Sequence, residues 1–281
     1  MPEGDTIFRA ARTLNAALAG QTVIKFETQL PKLSRVDEDT PIAGRSIEKV
    51  DAAGKWMRIY FSGDLILLTH MLMSGSWHIY RAGEPWQRGR FQMRIAIYTE
   101  RFTAVAFQVP IAEFHTSASL LRHRSLQRLG PDVLSDDFDH SAAMARLRSN
   151  PDLEIGVALL TQSLVSGLGN VFKSEVCFAS RVHPFRKVRS LSIEEFTSLL
   201  ANARKFMAAN VAADAGNGIV TYAGLRRTTG RANPSERFWV YGRRGQPCRV
   251  CSTAILSKKQ GVDARTTFWC PTCQTGVDAE V

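Results

Sequence analysis

Hydrophobic positions in the first 125 residues change from a helical to an alternating pattern. Between Asp5 and Leu18 the apolar residues recur every three or four positions, which predicts a helix with Asp5 as N-cap and Gly20 just past its end. Strand-like runs with turn residues between them follow at 55–61, 65–68, 91–97 and 103–107. We therefore expect a helix laid against a β-sandwich.

From about residue 136 the pattern becomes helical. It predicts helices over 138–148, 153–164 and 171–179, with a glycine-rich turn, 166–170, between the last two. A longer helix begins at Ser192, which forms a capping box with Glu195. A glycine-rich turn between helices is typical of helix-turn-helix organisation. The whole chain is therefore expected to have an α+β fold.

The net charge of the chain indicates which kind of partner it binds. The chain has 281 residues, enough for two domains, and a formal net charge of +10. Such a charge attracts phosphates or anionic surfaces, with binding that weakens as salt rises. No stretch approaches the roughly 20 apolar residues of a membrane span, and no signal segment is evident. We therefore expect no membrane association and a reducing cytoplasmic environment.

Four cysteines near the C-terminus have the spacing of a metal site, C-x2-C, 18 residues, C-x2-C: Cys248, Cys251, Cys270 and Cys273. Four thiolates without an open position suit one structural Zn²⁺. Two disulfides are the alternative, which the absence of a secretion signal disfavours. Residues 226–281 contain ten Lys or Arg against four Asp or Glu, so this hairpin is expected to hold a polyanion. Cys177, in an apolar run, is expected to be an inert core residue.

The chain begins Met1-Pro2-Glu3-Gly4. Removal of Met1 would give Pro2 a free secondary amine, whose attack on a sugar C1′ forms a permanently charged iminium. That electron sink acidifies C2′, so that the 3′ phosphate can leave. Glu3 could open the sugar ring by proton transfer. A proline here is more often simply a helix-start residue, so these residues alone do not establish catalysis.

Four motifs occur in a characteristic order: Met1-Pro2-Glu3-Gly4, Gly54-Lys55, Gly167-Leu168-Gly169-Asn170 and the segment 265–274. With them, the chain resembles the formamidopyrimidine-DNA glycosylase and endonuclease VIII family of base-excision repair enzymes over essentially its whole length. The resemblance implies a catalytic β-sandwich domain at 1–125, a helix-two-turn-helix DNA-binding domain at 126–232 and a zinc finger at 233–281. It further implies a monomer that holds DNA in the cleft between domains.

Residue roles follow from the same resemblance. Pro2 is similar to the Schiff-base nucleophile and Glu3 to the acid/base, while Lys55 resembles the hairpin lysine at the lesion phosphate. Asn170 is similar to the turn asparagine that binds backbone phosphate, and Arg265 to the finger arginine that grips phosphates beside the extruded nucleotide. Taken alone, Lys55 would be an exposed strand lysine, Asn170 an N-cap and Arg265 a solvated charge.

A wedge loop is also expected. Extruding a nucleotide leaves a gap in the base stack, which apolar side chains fill. The segment from His70 to Gly75 occupies the family's wedge loop, so His70 and Met73 are expected at the DNA, with Met73 as the filler. The alternative for Met73 is a buried strand methionine.

The chain departs from the family's usual pattern at three places, and two of these departures bear on the substrate. Asp5-Thr6 stands where the family usually has a supporting glutamate. Phe107-Gln108-Val109-Pro110 lies in the vicinity of the arginine–phenylalanine wedge pair of the 8-oxoguanine branch, and Thr221–Arg237 differs from that branch's lesion-capping loop. The last two features look like the endonuclease VIII branch, which suggests oxidised pyrimidines as substrates.

We therefore expect a bifunctional DNA glycosylase and AP lyase that acts on double-stranded DNA with damaged bases or abasic sites. It would nick the strand by β- and then δ-elimination, need no catalytic metal, and associate with the nucleoid. A non-catalytic zinc-ribbon DNA-binding protein is the alternative, but it has no use for Pro2, Glu3 and Lys55 together. A metal-dependent nuclease would need clustered carboxylates, which are not clear in the sequence.

Overall fold

A computed structural model describes residues 2–212, 227–229 and 236–276. They divide into two compact units, the first ending at Gln127 and the second beginning at Arg128. Within this described part of the chain, no helix is both long enough and apolar enough to cross a membrane. Most of the segment Thr221–Arg237, which we compared with the lesion-capping loop, lies outside the described residues.

In the described residues, the first unit begins with a helix and continues as eight strands with three further α-helices. Their order is α1 Gly4–Leu18, β1 Lys25–Thr28, α2 Pro31–Asp39, β2 Ile47–Ala53, β3 Trp56–Phe61, β4 Leu65–His70, β5 Ser76–Arg81, β6 Met93–Tyr98, β7 Phe102–Phe107, β8 Ile111–His115, α3 Ser117–Leu120 and α4 Arg124–Gln127. The strands form two four-stranded antiparallel sheets, ordered β1-β6-β7-β5 and β2-β3-β4-β8. The predicted β-sandwich is confirmed.

Helix α1 packs its apolar face into the same core as both sheets. Ile7, Ala11, Leu14 and Leu18 are all buried, as the spacing predicted. The N-cap, however, is Glu3 and not Asp5, because the Glu3 carbonyl already accepts the amides of Thr6 (3.0 Å) and Ile7 (3.1 Å). Asp5 instead lies buried in the first turn, where the helix dipole favours a carboxylate.

The second unit consists of helices followed by a two-stranded hairpin. Its elements are α5 His140–Arg148, α6 Ile155–Leu160, α7 Asn170–Ala179, α8 Ile193–Ala212, β9 Leu256–Gln260 and β10 Arg265–Trp269. The capping box at α8 is confirmed, since Glu195 N donates to Ser192 Oγ (3.2 Å) and Ser192 N donates to Glu195 Oε2 (2.8 Å). Cys177 is fully buried in this unit's core, as expected, and burial raises its pKa to about 12.

Two predicted helices are shorter than expected. Asp139 caps the first by accepting from Ala142 N (2.9 Å), so α5 starts at His140. The second ends at Leu160 because Gln162 turns the chain there. Its Nε2 donates to the carbonyls of Leu160 (2.9 Å) and Leu168 (3.0 Å), and its Oε1 accepts Gly167 N (3.1 Å). That one side chain organises the glycine-rich turn before α7.

Candidate active site and nucleic-acid interface

The start of α1 and the turn between β2 and β3 lie at the same end of the first unit. Asn15 Oδ1 accepts Val50 N (2.8 Å), and Gly20 N donates to the Ile47 carbonyl (2.8 Å), so α1 and β2 run in opposite directions. From the contact between Asn15 and Val50, the helix extends about 18 Å back to Glu3, and the strand extends about 16 Å onward to Lys55. Pro2 and Glu3, both buried, are thus brought level with Lys55.

Lys55 lies in a two-residue turn and not at the beginning of a strand as expected. β2 ends at Ala53 and β3 begins at Trp56, and Gly54 takes a left-handed φ of 58°. Glycine at the first position of a two-residue turn permits that conformation without a Cβ penalty. Lys55 is half-buried, so it is not the exposed strand lysine of the alternative interpretation.

His70 is placed beside this turn by the pairing of β3 with β4, in which Trp56 is opposite His70. Its ring contacts Trp56 edge-on at 4.7 Å, and its Nδ1 accepts the amide of Leu72 (3.1 Å). Burial, together with the nearby positive charge of Lys55, lowers the pKa of His70 to about 4. His70 is therefore neutral at physiological pH and adds no charge beside Lys55.

The predicted wedge loop projects from the end of β4. Met71 is buried and anchors the loop, whereas Met73 is 62% exposed, so the buried-methionine alternative is wrong. The loop is tight: Leu72 has a φ of 45°, and a Cβ on Gly75 would lie 2.6 Å from the Met71 carbonyl oxygen. Only glycine fits at 75, and this close approach presents Met73 at the surface.

In the second unit, Asn170 and the finger strand β10 lie together. Asn170 Nδ2 donates to the Thr266 carbonyl (2.9 Å), next to Arg265. Its Oδ1 is buried and has no hydrogen-bond partner among the residues that the structure describes. Asn170 is the first residue of α7 and its N-cap is Gly169, so the N-cap alternative is wrong. The positive end of α7 nevertheless favours an anion nearby.

A buried carboxylate joins α7 to the segment before the finger, a contact that sequence reasoning missed. Glu175 accepts the backbone amides of Trp239 (2.8 Å), Val240 (2.9 Å) and Tyr241 (2.8 Å), and also the Thr228 hydroxyl. Burial raises the pKa of Glu175, while the four hydrogen bonds act in the opposite direction. In the sequence, the only indication of this contact is a charged residue, Glu175, within a helix that is otherwise largely apolar. That indication does not show which distant residues it contacts.

A fully buried lysine makes a second such contact. Lys173 Nζ donates to Thr267 Oγ1 (2.5 Å), and that hydroxyl donates to Gln260 Oε1 (2.7 Å). Gln260 in turn donates to Glu154 (2.9 Å), beside α6. The two finger strands are thus bound to two helices of the unit, which fixes the position of Asn170 relative to β10.

The four predicted metal ligands come together at the end of the hairpin. The Sγ atoms of Cys248 and Cys273 are 3.9 Å apart, those of Cys251 and Cys270 are 3.4 Å apart, and all four lie within 4.8 Å of one another. A tetrahedral Zn²⁺ with 2.3 Å bonds separates its sulfurs by about 3.8 Å, whereas a disulfide requires about 2.05 Å. The disulfide alternative is therefore wrong.

The chemistry of the donors also fits zinc. Hydrogen bonds from Thr253 lower the pKa of Cys251 to about 6, which supplies one ready thiolate. Burial raises the pKa of Cys270 and Cys273, so a cation is needed to hold all four as thiolates. The site holds one structural zinc ion, which braces the hairpin that carries Arg265.

Comparison with known proteins gives matches along most of the chain. Residues 1–109 match the formamidopyrimidine-DNA glycosylase N-terminal domain, residues 129–221 match the H2TH domain of the same glycosylase, and residues 245–276 match the zinc finger found in FPG and IleRS. These three matches follow one another in the order of the predicted segments.

Relatives that match over nearly their whole length belong to the same group of enzymes as the domain matches. The chain is 36% identical to a probable endonuclease 8 2 of Streptomyces coelicolor over 98% of this chain and 95% of that protein. It is 32% identical to DNA-(apurinic or apyrimidinic site) lyase Nei2 of Mycolicibacterium smegmatis, over 98% and 99%. A structure of Lactococcus lactis Fpg in complex with abasic-site DNA superposes with a TM-score of 0.82 at 21% identity, covering 98% and 100% of the two chains.

Proposed function

This chain belongs to the formamidopyrimidine-DNA glycosylase and endonuclease VIII family of DNA glycosylases with AP lyase activity, and we propose that it excises oxidised pyrimidines from double-stranded DNA through Pro2. The observation that carries the proposal is the placement of Pro2 and Glu3 at the buried start of α1, level with the turn that holds Lys55. A nucleophile, a proton-transferring carboxylate and a cation for phosphate are thereby grouped at one end of one unit.

The chemistry runs through the Pro2 nitrogen. After removal of Met1, this amine attacks C1′ of the damaged nucleotide, the C1′–base bond breaks, and the base leaves with a proton. Glu3 protonates the ring oxygen, which opens the sugar and leaves a cationic iminium on C1′. Loss of a C2′ proton expels the 3′ phosphate, and a second elimination expels the 5′ phosphate. Burial of Glu3 next to the nucleophile favours its role as a proton shuttle.

The remaining predicted residues serve binding. Lys55 neutralises the phosphate at the lesion, while Asn170 and Arg265, held together through the Thr266 carbonyl, receive a second stretch of backbone. Met73, exposed on its tight loop, enters the gap left by the extruded nucleotide. The finger zinc, held by the four cysteines, keeps β10 in place and takes no part in a bond-breaking step.

Preference for oxidised pyrimidines rests on the sequence departures near Phe107–Pro110 and Thr221–Arg237. Phe107 and Val109 are fully buried, so neither side chain is available to the DNA from this segment. The chain therefore offers no aromatic wedge here like that of the 8-oxoguanine branch, which supports the endonuclease VIII type of substrate.

Borohydride trapping tests the mechanism directly. Wild-type protein, shown by mass spectrometry to lack Met1, should form a reduced covalent adduct with duplexes carrying an abasic site or an oxidised pyrimidine. Pro2→Gly should lose the adduct, whereas Pro31→Gly, at the exposed start of α2, should keep it. Glu3→Gln should still be trapped on abasic DNA but should excise the oxidised base more slowly.

An adduct that persists unchanged in Pro2→Gly would contradict Pro2 as nucleophile. No adduct on any lesion, with tight binding retained, would favour the non-catalytic DNA-binding protein. Equal excision of 8-oxoguanine and an oxidised pyrimidine would remove the substrate preference while leaving the lyase mechanism intact.

A further inference from the structure

Besides the four cysteines, one other group of described side chains has the composition and geometry of a metal site. Glu113, His115 and His123 place one ligand atom each within 4.8 Å of the other two. Glu113 and His115 occupy alternate positions on β8, the edge strand of the second sheet, and His123 comes from the link between α3 and α4. None of the three has a role in the proposed lyase reaction.

The distances from the carboxylate to both histidines are close to those around a tetrahedral ion. Glu113 Oε2 is 3.1 Å from His115 Nε2 and 3.5 Å from His123 Nε2. Zinc bonds of about 2.0–2.2 Å to nitrogen and oxygen imply ligand atoms about 3.4 Å apart. The two histidine rings are nearly perpendicular, with centroids 5.3 Å apart, so both can direct a nitrogen toward one point beside the carboxylate.

The surroundings of His115 allow the tautomer that a metal requires. Its Nδ1 lies 3.2 Å from Ser119 Oγ, which also accepts Thr116 N (2.9 Å) and lies 3.1 Å from the Thr116 carbonyl. When the Ser119 hydroxyl donates its single proton to the Thr116 carbonyl, its oxygen can only accept from His115. Nδ1 of His115 then carries a proton, and Nε2 presents a lone pair to Glu113. Two acceptors facing one another are stable only with a cation between them.

His123 can adopt the same tautomer at small cost. Its Nδ1 lies 3.4 Å from the Leu126 amide, but that amide already donates to the His123 carbonyl at 3.0 Å. The longer contact is therefore the minor branch of a shared hydrogen bond. The ring also contacts Trp56 edge-on, at a centroid distance of 5.2 Å. Without metal, Nε2–H of both histidines can instead donate to Glu113, so the group remains satisfied in either state.

We propose that Glu113, His115 and His123 form a second zinc site, with water as the fourth ligand. Two imidazoles and one carboxylate suit Zn²⁺. The histidine side chains are 15% exposed and that of Glu113 is 44% exposed, so the site is anchored but reachable from solvent. Unlike the closed four-thiolate finger, this site exchanges its metal. Binding ties β8 to the residues that end the first unit at Gln127.

Metal stoichiometry in the full-length protein tests the proposal. Protein equilibrated with excess Zn²⁺ and freed of unbound metal should contain two zinc ions per chain, and one after brief treatment with a mild chelator. The double variant His115→Gln, His123→Gln should contain one throughout. His140→Gln, which alters an exposed histidine in α5, should retain two. One ion per chain in the wild type, or two in the double variant, overturns the site.

Cobalt substitution of the wild-type protein keeps the test decisive if the double variant folds poorly. The finger should give thiolate-to-cobalt charge-transfer bands. A second equivalent of Co²⁺ should add only d–d bands without charge transfer, and amide exchange in residues 120–127 should slow as it binds. A second equivalent that produces no new d–d absorption, or leaves this exchange unchanged, excludes the site.

Discussion

Glu175→Gln is the substitution whose consequence follows most directly from the geometry. One carboxylate oxygen accepts Val240 N and Tyr241 N, and the other accepts Trp239 N and the Thr228 hydroxyl. Glutamine keeps one oxygen but replaces the other with an NH2 group, which cannot accept. The Thr228 hydroxyl can reverse and accept from this NH2, whereas the Trp239 amide loses its acceptor.

The size of the effect comes from three contributions. A buried amide without an acceptor costs about 1–3 kcal/mol, and loss of the formal charge weakens the two remaining amide bonds by about 1 kcal/mol each. Removing a buried charge offsets about 1–2 kcal/mol of this, since burial already raises the pKa of Glu175. We expect the free energy that holds residues 239–241 closed to fall by about 2–3 kcal/mol, which corresponds to an opening constant about 30- to 160-fold larger.

Native-state hydrogen exchange of peptides covering 236–243 measures this opening. Exchange should accelerate by about 30- to 160-fold in Glu175→Gln, while peptides from the β-sandwich remain unchanged. Glu194→Gln, the same substitution at an exposed position in α8 of the same unit, is the matched control and should leave exchange at 236–243 unaltered. Acceleration of less than threefold in Glu175→Gln would refute the reasoning that this carboxylate holds the segment.

Two further outcomes follow. Arg265→Ala should weaken DNA binding across all sequences and reduce the slope of log affinity against log salt by about one unit, whereas an unchanged slope would show that Arg265 does not touch phosphate. Because burial lowers the pKa of His70 to about 4, the folded state disfavours its protonation, so its contribution to stability is complete above about pH 6.5 and is lost as pH falls toward 4. The thermal midpoint of His70→Gln should therefore fall less steeply between pH 6.5 and 4 than that of the wild type. Some pH dependence should remain in the variant, because His78 and His183 have the same lowered pKa. Identical profiles would contradict the lowered pKa of His70.

Features encoded within a few neighbouring residues were predictable. The spacing of Cys248, Cys251, Cys270 and Cys273 identified the zinc ligands, because a hairpin brings two such pairs together whatever surrounds them. Periodicity identified α1 and the longer helix α8, and the Ser192–Glu195 capping box is confirmed. Helix ends were less accurate, since Gln162 and Asp139 stop or start helices by hydrogen bonds that apolar periodicity does not register.

The amino-acid sequence by itself determined the family, the α+β organisation, the zinc ligands and the order of the motifs, since each depends on local spacing. Only the tertiary structure decided how distant parts of the chain are arranged: α1 runs antiparallel to β2, the strand that leads to Lys55, Glu175 accepts the amides of residues 239–241, and Glu113 and His115 lie beside His123. These juxtapositions depend on strand register, on the direction of α1 along β2 and on the burial of polar groups that need partners. They are set by packing of the whole unit, which local patterns do not encode.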